Sequence, residues 1–183
     1  MRELLNDKQV GRAVSRLYQQ IAKSLPRDVK LAVVGMRSRG DLLADRLAER
    51  LKADRPKQSI ERGVLDITFY RDDLSRRKGM PLVRATQINF DLDDKLVLLV
   101  DDVLATGRSI RAALDALADF GRPSAIRLAV LIDRGGRELP IAPDFVGAKV
   151  DAPAEDTVQV CLREADGKDA VLLLPAAKPA KKK

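Results

Sequence analysis

Short uninterrupted apolar runs alternate along this chain with longer segments in which apolar residues recur every three or four positions. Val10, Ala13, Val14, Leu17 and Ile21 form such a stripe and predict an amphipathic helix over residues 4–25, capped by Asn6 or Asp7. Residues 31–34 are wholly apolar and predict a buried parallel strand. A second helix follows over residues 41–51, with Leu43, Leu47 and Leu51 on one face. Residues 52–62 are polar, contain Pro56 and read as a loop. Residues 64–70 alternate, with Leu65, Ile67 and Phe69 on one side, and predict a strand. The run at residues 96–100 predicts another buried strand, followed by a helix carrying Ile110, Ala113, Leu114 and Leu117. Further strands are expected at 126–132, 145–150, 158–162 and 171–174. The last two flank a turn at 165–168 and should pair as a hairpin. Strands alternating with helices define an α/β class with a mostly parallel sheet. Residues 1–175 read as one domain. Residues 176–183, rich in Ala, Lys and Pro, read as a disordered tail.

Composition narrows the chemistry. The 183 residues are 45% hydrophobic and 33% charged, as in globular proteins. No apolar run reaches membrane-spanning length and no secretory leader pattern is visible, so a cytoplasmic protein without membrane association is expected. The single Cys161 rules out an internal disulfide framework. The chain has no histidine, which excludes Ser-His-Asp and Cys-His catalysis and histidine-ligated zinc. Any metal should be a hard cation on oxygen ligands, pointing to magnesium held largely by a phosphorylated substrate. The net charge is +7, but four of those charges are Lys178, Lys181, Lys182 and Lys183, which leaves +3 for the body. A mildly basic body is compatible with anionic substrates or RNA and proves neither.

Three stretches could carry chemistry. In residues 96–117 the apolar run meets Asp101 and Asp102, then the small-residue turn Ala105-Thr106-Gly107 with Arg108 and Ser109, then the helix. A loop with hydroxyls, a glycine and free helix-start amides can hold a phosphate monoester. The two acids lie where open α/β sheets bind ligands. A plain strand–loop–helix unit capped by Asp102 or Thr106 is the alternative; it does not require the double acid and the Thr-Gly pair to coincide. Residues 35–40, Gly-Met-Arg-Ser-Arg-Gly, form a second candidate anion loop, in which Arg37 and Arg39 can contact phosphate oxygens. Residues 71–84 are charged, contain Gly79-Met80-Pro81 and are too long for a tight turn. They read as a lid over a water-sensitive intermediate, the alternative being a solvated hairpin. On the first helix Arg12, Arg16 and Lys23, with Ser15 and Gln19, make a basic flank off the apolar stripe.

The segment at 96–117 resembles the 5-phosphoribosyl-1-pyrophosphate (PRPP) motif of type I phosphoribosyltransferases. Residues 65–77 (LDITFYRDDLSRR), 121–135 and 137–141 (RELPI) carry the likeness further, to the bifunctional PyrR family of bacteria. That resemblance implies a type I phosphoribosyltransferase fold, with helices flanking the sheet, a small hood over the base and a flexible lid loop. It also implies conversion of uracil and PRPP to UMP and pyrophosphate, with Mg2+ accompanying PRPP. Binding of UMP or UTP would promote attachment to the mRNA leader of pyrimidine operons and transcription termination. A homodimer or higher homo-oligomer is expected.

On matching positions, Asp101 and Asp102 would bind the ribose hydroxyls, and Val103, Leu104, Ala105, Thr106, Gly107, Arg108 and Ser109 would surround the 5-phosphate. Arg37, Ser38 and Arg39 would hold pyrophosphate, and Arg71 in the lid would join Asp101, Asp102 and Arg39 in catalysis. Asp133, Arg134 and Gly135 would meet the base, largely through backbone groups. Arg12, Ser15, Arg16 and Arg137 would contact RNA. Several family members have histidine where this chain has Gln19 and Gly136, and arginine where it has Ala142. Each lost cation removes a phosphate contact. A salvage transferase without RNA regulation and a nucleotide-sensing regulator without turnover are the other two readings. Arg39→Ala is expected to impair use of PRPP; unchanged PRPP and pyrophosphate kinetics would show that the 35–40 loop is misassigned.

Overall fold

A computed structural model describes residues 1–70 and 85–176. In chain order these form β1 (Arg2–Leu5), α1 (Asp7–Ser24), β2 (Leu31–Met36), α2 (Gly40–Asp54), β3 (Ile60–Leu65), β4 (Leu96–Leu104), α3 (Arg108–Leu117), β5 (Ala125–Asp133), β6 (Phe145–Lys149), β7 (Thr157–Cys161), α4 (Arg163–Asp166) and β8 (Ala170–Leu174). Short 3-10 turns lie at Thr68–Tyr70 and Ala118–Phe120.

Five strands make a parallel sheet in the order β3-β2-β4-β5-β6, with β4 in the middle. Leu96, Leu98 and Val100 point into a core built with α1 and α2, while Val97 and Leu99 point into a core built with α3. A strand covered on both faces must be apolar at every position, which is why this stretch reads as an unbroken run. The three remaining strands form a small antiparallel sheet, order β1-β8-β7. The expected β7–β8 hairpin is present, closed by α4 rather than by a simple turn. No helix among the described residues is long and apolar enough to cross a membrane.

Several boundaries depart from the sequence expectation. Residues 2–5 are a strand paired with β8, not the start of the first helix. Asn6 stops the helix there: its side chain accepts the Gln9 amide at 3.0 Å, and the Gln9 side chain accepts the Asn6 amide at 2.9 Å. That reciprocal capping box outweighs the apolar continuity of Leu4 and Leu5. The second helix runs on to Asp54, and β3 begins at Ile60, inside the stretch read as loop. The expected alternating strand ends at Leu65 because the Asp66 carboxylate accepts the Thr68 amide at 2.8 Å and turns the chain.

Two side chains of α1 protect the free edge of β6. The Gln20 amide donates to the Val146 carbonyl at 2.8 Å and accepts the Val146 amide at 3.4 Å, imitating a neighbouring strand. Arg16 donates to the Gly147 carbonyl at 3.2 Å.

Arg55, 3% exposed, ties the ends of α1 and α2 together. It donates to the carbonyls of Ala22 at 2.6 Å and Pro26 at 3.3 Å, and to the Gln58 side chain at 3.1 Å. Arg55→Ala removes the donor to the Ala22 carbonyl and to the Gln58 side-chain oxygen, while the Pro26 carbonyl keeps the Gln58 amide at 3.1 Å, and should cost about 3 kcal/mol, from about 1–3 kcal/mol per stranded buried group. Urea unfolding measures it, and a loss below about 1 kcal/mol would show that water replaces the guanidinium.

Candidate active site

β4 carries the two acids at its carboxyl-terminal end, one strand from β2 and one from β5. Asp101 is 8% exposed and Asp102 is half-buried. Each carboxylate accepts the amide of the following residue: Asp102 to Asp101 at 2.9 Å and Val103 to Asp102 at 3.0 Å. Burial, then the adjacent Asp102 charge, pushes the Asp101 carboxyl well above the usual carboxylate range. Burial also raises Asp102. An acid pair that ionises reluctantly is matched to a ligand that brings hydroxyl donors and cationic charge.

Directly after the acids the chain makes a tight loop into α3. Gly107 caps the helix at φ +91°, a conformation glycine adopts at no steric cost. The loop is held from behind by residues 137–141. Thr106 accepts the amides of Glu138 at 3.0 Å and Leu139 at 3.2 Å through its carbonyl. Arg137 donates to the carbonyls of Ala105 at 2.9 Å, Leu104 at 3.4 Å and Ile141 at 3.0 Å, and to the Asp133 carboxylate at 2.8 Å. With its carbonyls tied back, the loop keeps the amides of Thr106, Gly107 and Ser109 without partners among the described residues. Those amides and the helix start are donors of the kind that can hold an anion. Arg108 is ion-paired to Glu138 at 2.6 Å on the outer side.

The second loop joins β2 to α2 and is pressed against the acids by two glycines. A Cβ on Gly40 would lie 2.6 Å from the Val100 carbonyl oxygen, and one on Gly35 would lie 2.5 Å from the Asp41 Cα. Only glycine allows α2 to start this close to β4. The Arg37–Ser38 peptide is cis. The Arg37 Nε is buried without a partner among the described residues, a donor suited to an incoming anion. Arg39 makes a two-pronged pair with Asp166 of α4, at 2.6 and 3.3 Å, and donates to the Ser38 hydroxyl at 3.1 Å. The hydrogen bonds it donates to Asp166 raise the Arg39 pKa, and the Asp102 charge adds to the effect.

The expected residues of both loops are thus gathered at the carboxyl ends of β2 and β4, around the acid pair. Asp133 lies beside Leu104 in the β4–β5 register. Its carboxylate is engaged by the Gly135 amide at 3.0 Å and by Arg137. The Arg134 side chain turns away to the carbonyls of Asp156 and Pro153, both at 2.7 Å, leaving its backbone as the part near the site. Arg12, Ser15 and Arg16 share one side of α1. Arg137 stands apart from them beneath the phosphate loop, and would reach RNA only by leaving the partners just described. Arg71 and the lid reading of residues 71–84 lie outside the described residues, as do residues 177–183 of the tail. The sequence reading missed Asp166, which looked like an ordinary turn residue, and the bracing role of Arg137.

A doubly covered parallel sheet with an acid pair between two anion loops is the architecture of a phosphoribosyltransferase. Residues 1–164 match the family model for the phosphoribosyl transferase domain. A hypoxanthine phosphoribosyltransferase from Staphylococcus aureus superposes with a TM-score of 0.66 at 19% identity, covering 97% of this chain and 93% of that one. One from Trypanosoma cruzi gives 0.66 at 16%, covering 97% and 98%; these likenesses establish the fold alone. In sequence, the Bifunctional protein PyrR of Deinococcus radiodurans is 48% identical over 170 residues, 93% of this chain and 92% of the relative. That of Chloroflexus aurantiacus is 49% identical over 173 residues, 94% of each. The chain belongs to the PyrR family of phosphoribosyltransferases.

The acid pair links stability to pH. A carboxyl whose folded pKa is raised contributes its stability below the unfolded value, about 4, and loses it as pH rises through the folded value. Asp101→Asn keeps an acceptor for the Asp102 amide and removes a charge that is costly to bury. It should raise the melting temperature at pH 7.5, show little difference near pH 4, and abolish turnover. A melting temperature lowered at pH 7.5 would contradict the burial cost.

Proposed function

We infer that this protein is a uracil phosphoribosyltransferase that also regulates pyrimidine genes by uridine-nucleotide-dependent binding to an mRNA leader. The observation that carries the enzyme reading is the acid pair at the carboxyl end of β4, between the loop that follows β2 and the loop that leads into α3. The loop from Ala105 to Ser109 wraps the 5-phosphate, with the amides of Thr106, Gly107 and Ser109 as its donors. Arg37, Ser38 and Arg39 hold the pyrophosphate. Asp101 and Asp102 accept the ribose hydroxyls and offset positive charge as the bond to pyrophosphate lengthens. Uracil sits against the backbone of residues 133–135, in line with the departing group. No covalent nucleophile is needed, because holding both reactants in line and stabilising the leaving group supply the acceleration.

The donor set fits Mg2+. The acids provide hard oxygens, and among the described residues no third histidine, cysteine or carboxylate gathers with them, so substrate oxygens would complete the shell. When bound with PRPP, that ion would neutralise charge on the leaving pyrophosphate.

For the RNA activity, Arg12, Ser15 and Arg16 on α1 are the proposed contacts. Arg137 lies where occupancy of the phosphate loop would be felt by the segment that follows it. We further assign residues 1–175 to one domain, a cytoplasmic location, and assembly as a homodimer or higher homo-oligomer. Labelled uracil should be converted to UMP in the presence of PRPP and Mg2+, with Asp102→Asn reducing kcat/KM by at least about a hundredfold, as when a transition-state electrostatic partner is removed. UMP should tighten binding to a pyrimidine-operon leader but not to a scrambled RNA. Turnover without that discrimination would reduce the protein to a salvage enzyme, and no turnover would refute the transferase reading.

A further inference from the structure

α2 presents two arginines to the turn around α4, which joins β7 to β8 of the small antiparallel sheet, the part of the fold taken as the hood. Arg39 stands at its start and Arg46 seven residues, about two turns, further along. Both meet the acidic turn around α4. Arg46 gives four of its five donors to carboxylates, with paired bonds to Glu164 at 2.7 and 2.8 Å and to Asp169 at 2.7 and 2.8 Å. It is a fixed clamp between hood and sheet.

Arg39 is held differently. Asp166 takes its Nε and one hydrogen of Nη2, and Ser38 takes one hydrogen of Nη1. A guanidinium has five donors, so one hydrogen remains on each terminal nitrogen. The partner carboxylate is itself fixed. One oxygen of Asp166 also accepts the Leu162 amide at 2.9 Å, and its side chain is 17% exposed. The Nε edge of Arg39 is thereby fastened, while among the described residues one donor on each terminal nitrogen has no partner, in the loop already read as the pyrophosphate end of the site.

We propose that Asp166 is a positioning residue, by which the hood aims Arg39 at the pyrophosphate of PRPP. This rests on the transferase reading above. The fork of a long, flexible side chain is oriented before substrate arrives, so less rotamer entropy is lost on binding. Asp166 does not compete with pyrophosphate, since it occupies a different edge of the guanidinium. Through Asp166 the small sheet and α4 would gain a say in PRPP affinity.

Asp166→Asn in the full chain is the test, because asparagine can still accept the Leu162 amide while losing the charge that orients Arg39. PRPP binding in the presence of Mg2+, measured by calorimetry, should weaken about tenfold, the scale of one charge-assisted contact. In the uracil assay the KM for PRPP should rise in parallel, with the KM for uracil and the melting temperature little changed. Asp166→Glu should recover part of the loss. Adding Asp166→Asn to Arg39→Ala should cause no further weakening, whereas a purely structural Asp166 would keep its effect in that background. Unchanged or tighter PRPP binding in Asp166→Asn, or effects that add to those of Arg39→Ala, would overturn the proposal. Absence of uracil turnover in the unaltered protein would refute the transferase reading, while the binding measurement would still decide the role of Asp166.

Discussion

Two neighbouring carboxylates, largely withdrawn from water, are the constraint to which the surrounding architecture answers. Consecutive acids at the end of a central strand repel each other and lose hydration, so they persist only where structure over-determines the strand that carries them. β4 meets that condition. It is paired on both sides, covered on both faces, and its apolar run from Leu96 to Val100 is fully enclosed. The rigidity that tolerates the acids also fixes where their oxygens lie, which is what a site needs if it is to favour a charge that develops only during reaction.

The two anion loops are positioned by opposite devices. The loop after β2 is brought in by the absence of side chains, since Gly35 and Gly40 let backbone approach backbone. The loop after β4 is pulled from behind by its carbonyls, which Arg137 and the amides of Glu138 and Leu139 hold to the next segment. In each case donors remain without partners among the described residues: the Arg37 Nε in the first loop and the amides of Thr106, Gly107 and Ser109 in the second. The Arg39–Asp166 pair belongs to the same logic but stands partly exposed, so its weight lies in orientation more than in stability.

Much of this could be read from the residues. Parallel strands buried on both faces announce themselves as unbroken apolar runs, and the Asp-Asp and Thr-Gly spacing marks the site because few folds need those residues together. What escaped has physical reasons. β1 was hidden because the apolar Leu4 and Leu5 lead directly into α1, while the partner that makes them a strand, β8, lies near the other end of the chain. β3 was shifted because Pro56 and its polar neighbours mask the start at Ile60. Asp166 sits in Ala-Asp-Gly-Lys, a sequence that turn chemistry alone would justify, so only its distance to Arg39 reveals a second use. Arg137 looked like a surface cation because its partners are mostly backbone carbonyls, which carry no sequence signature.

The most direct measurement is the release of pyrophosphate from PRPP, followed with uracil and with hypoxanthine as the acceptor base. The purine enzymes share this fold, so the outcome separates the fold from the chemistry of this chain. Uracil should release one pyrophosphate for each UMP formed, with negligible release when hypoxanthine is supplied. Release with hypoxanthine and none with uracil would contradict the site as described.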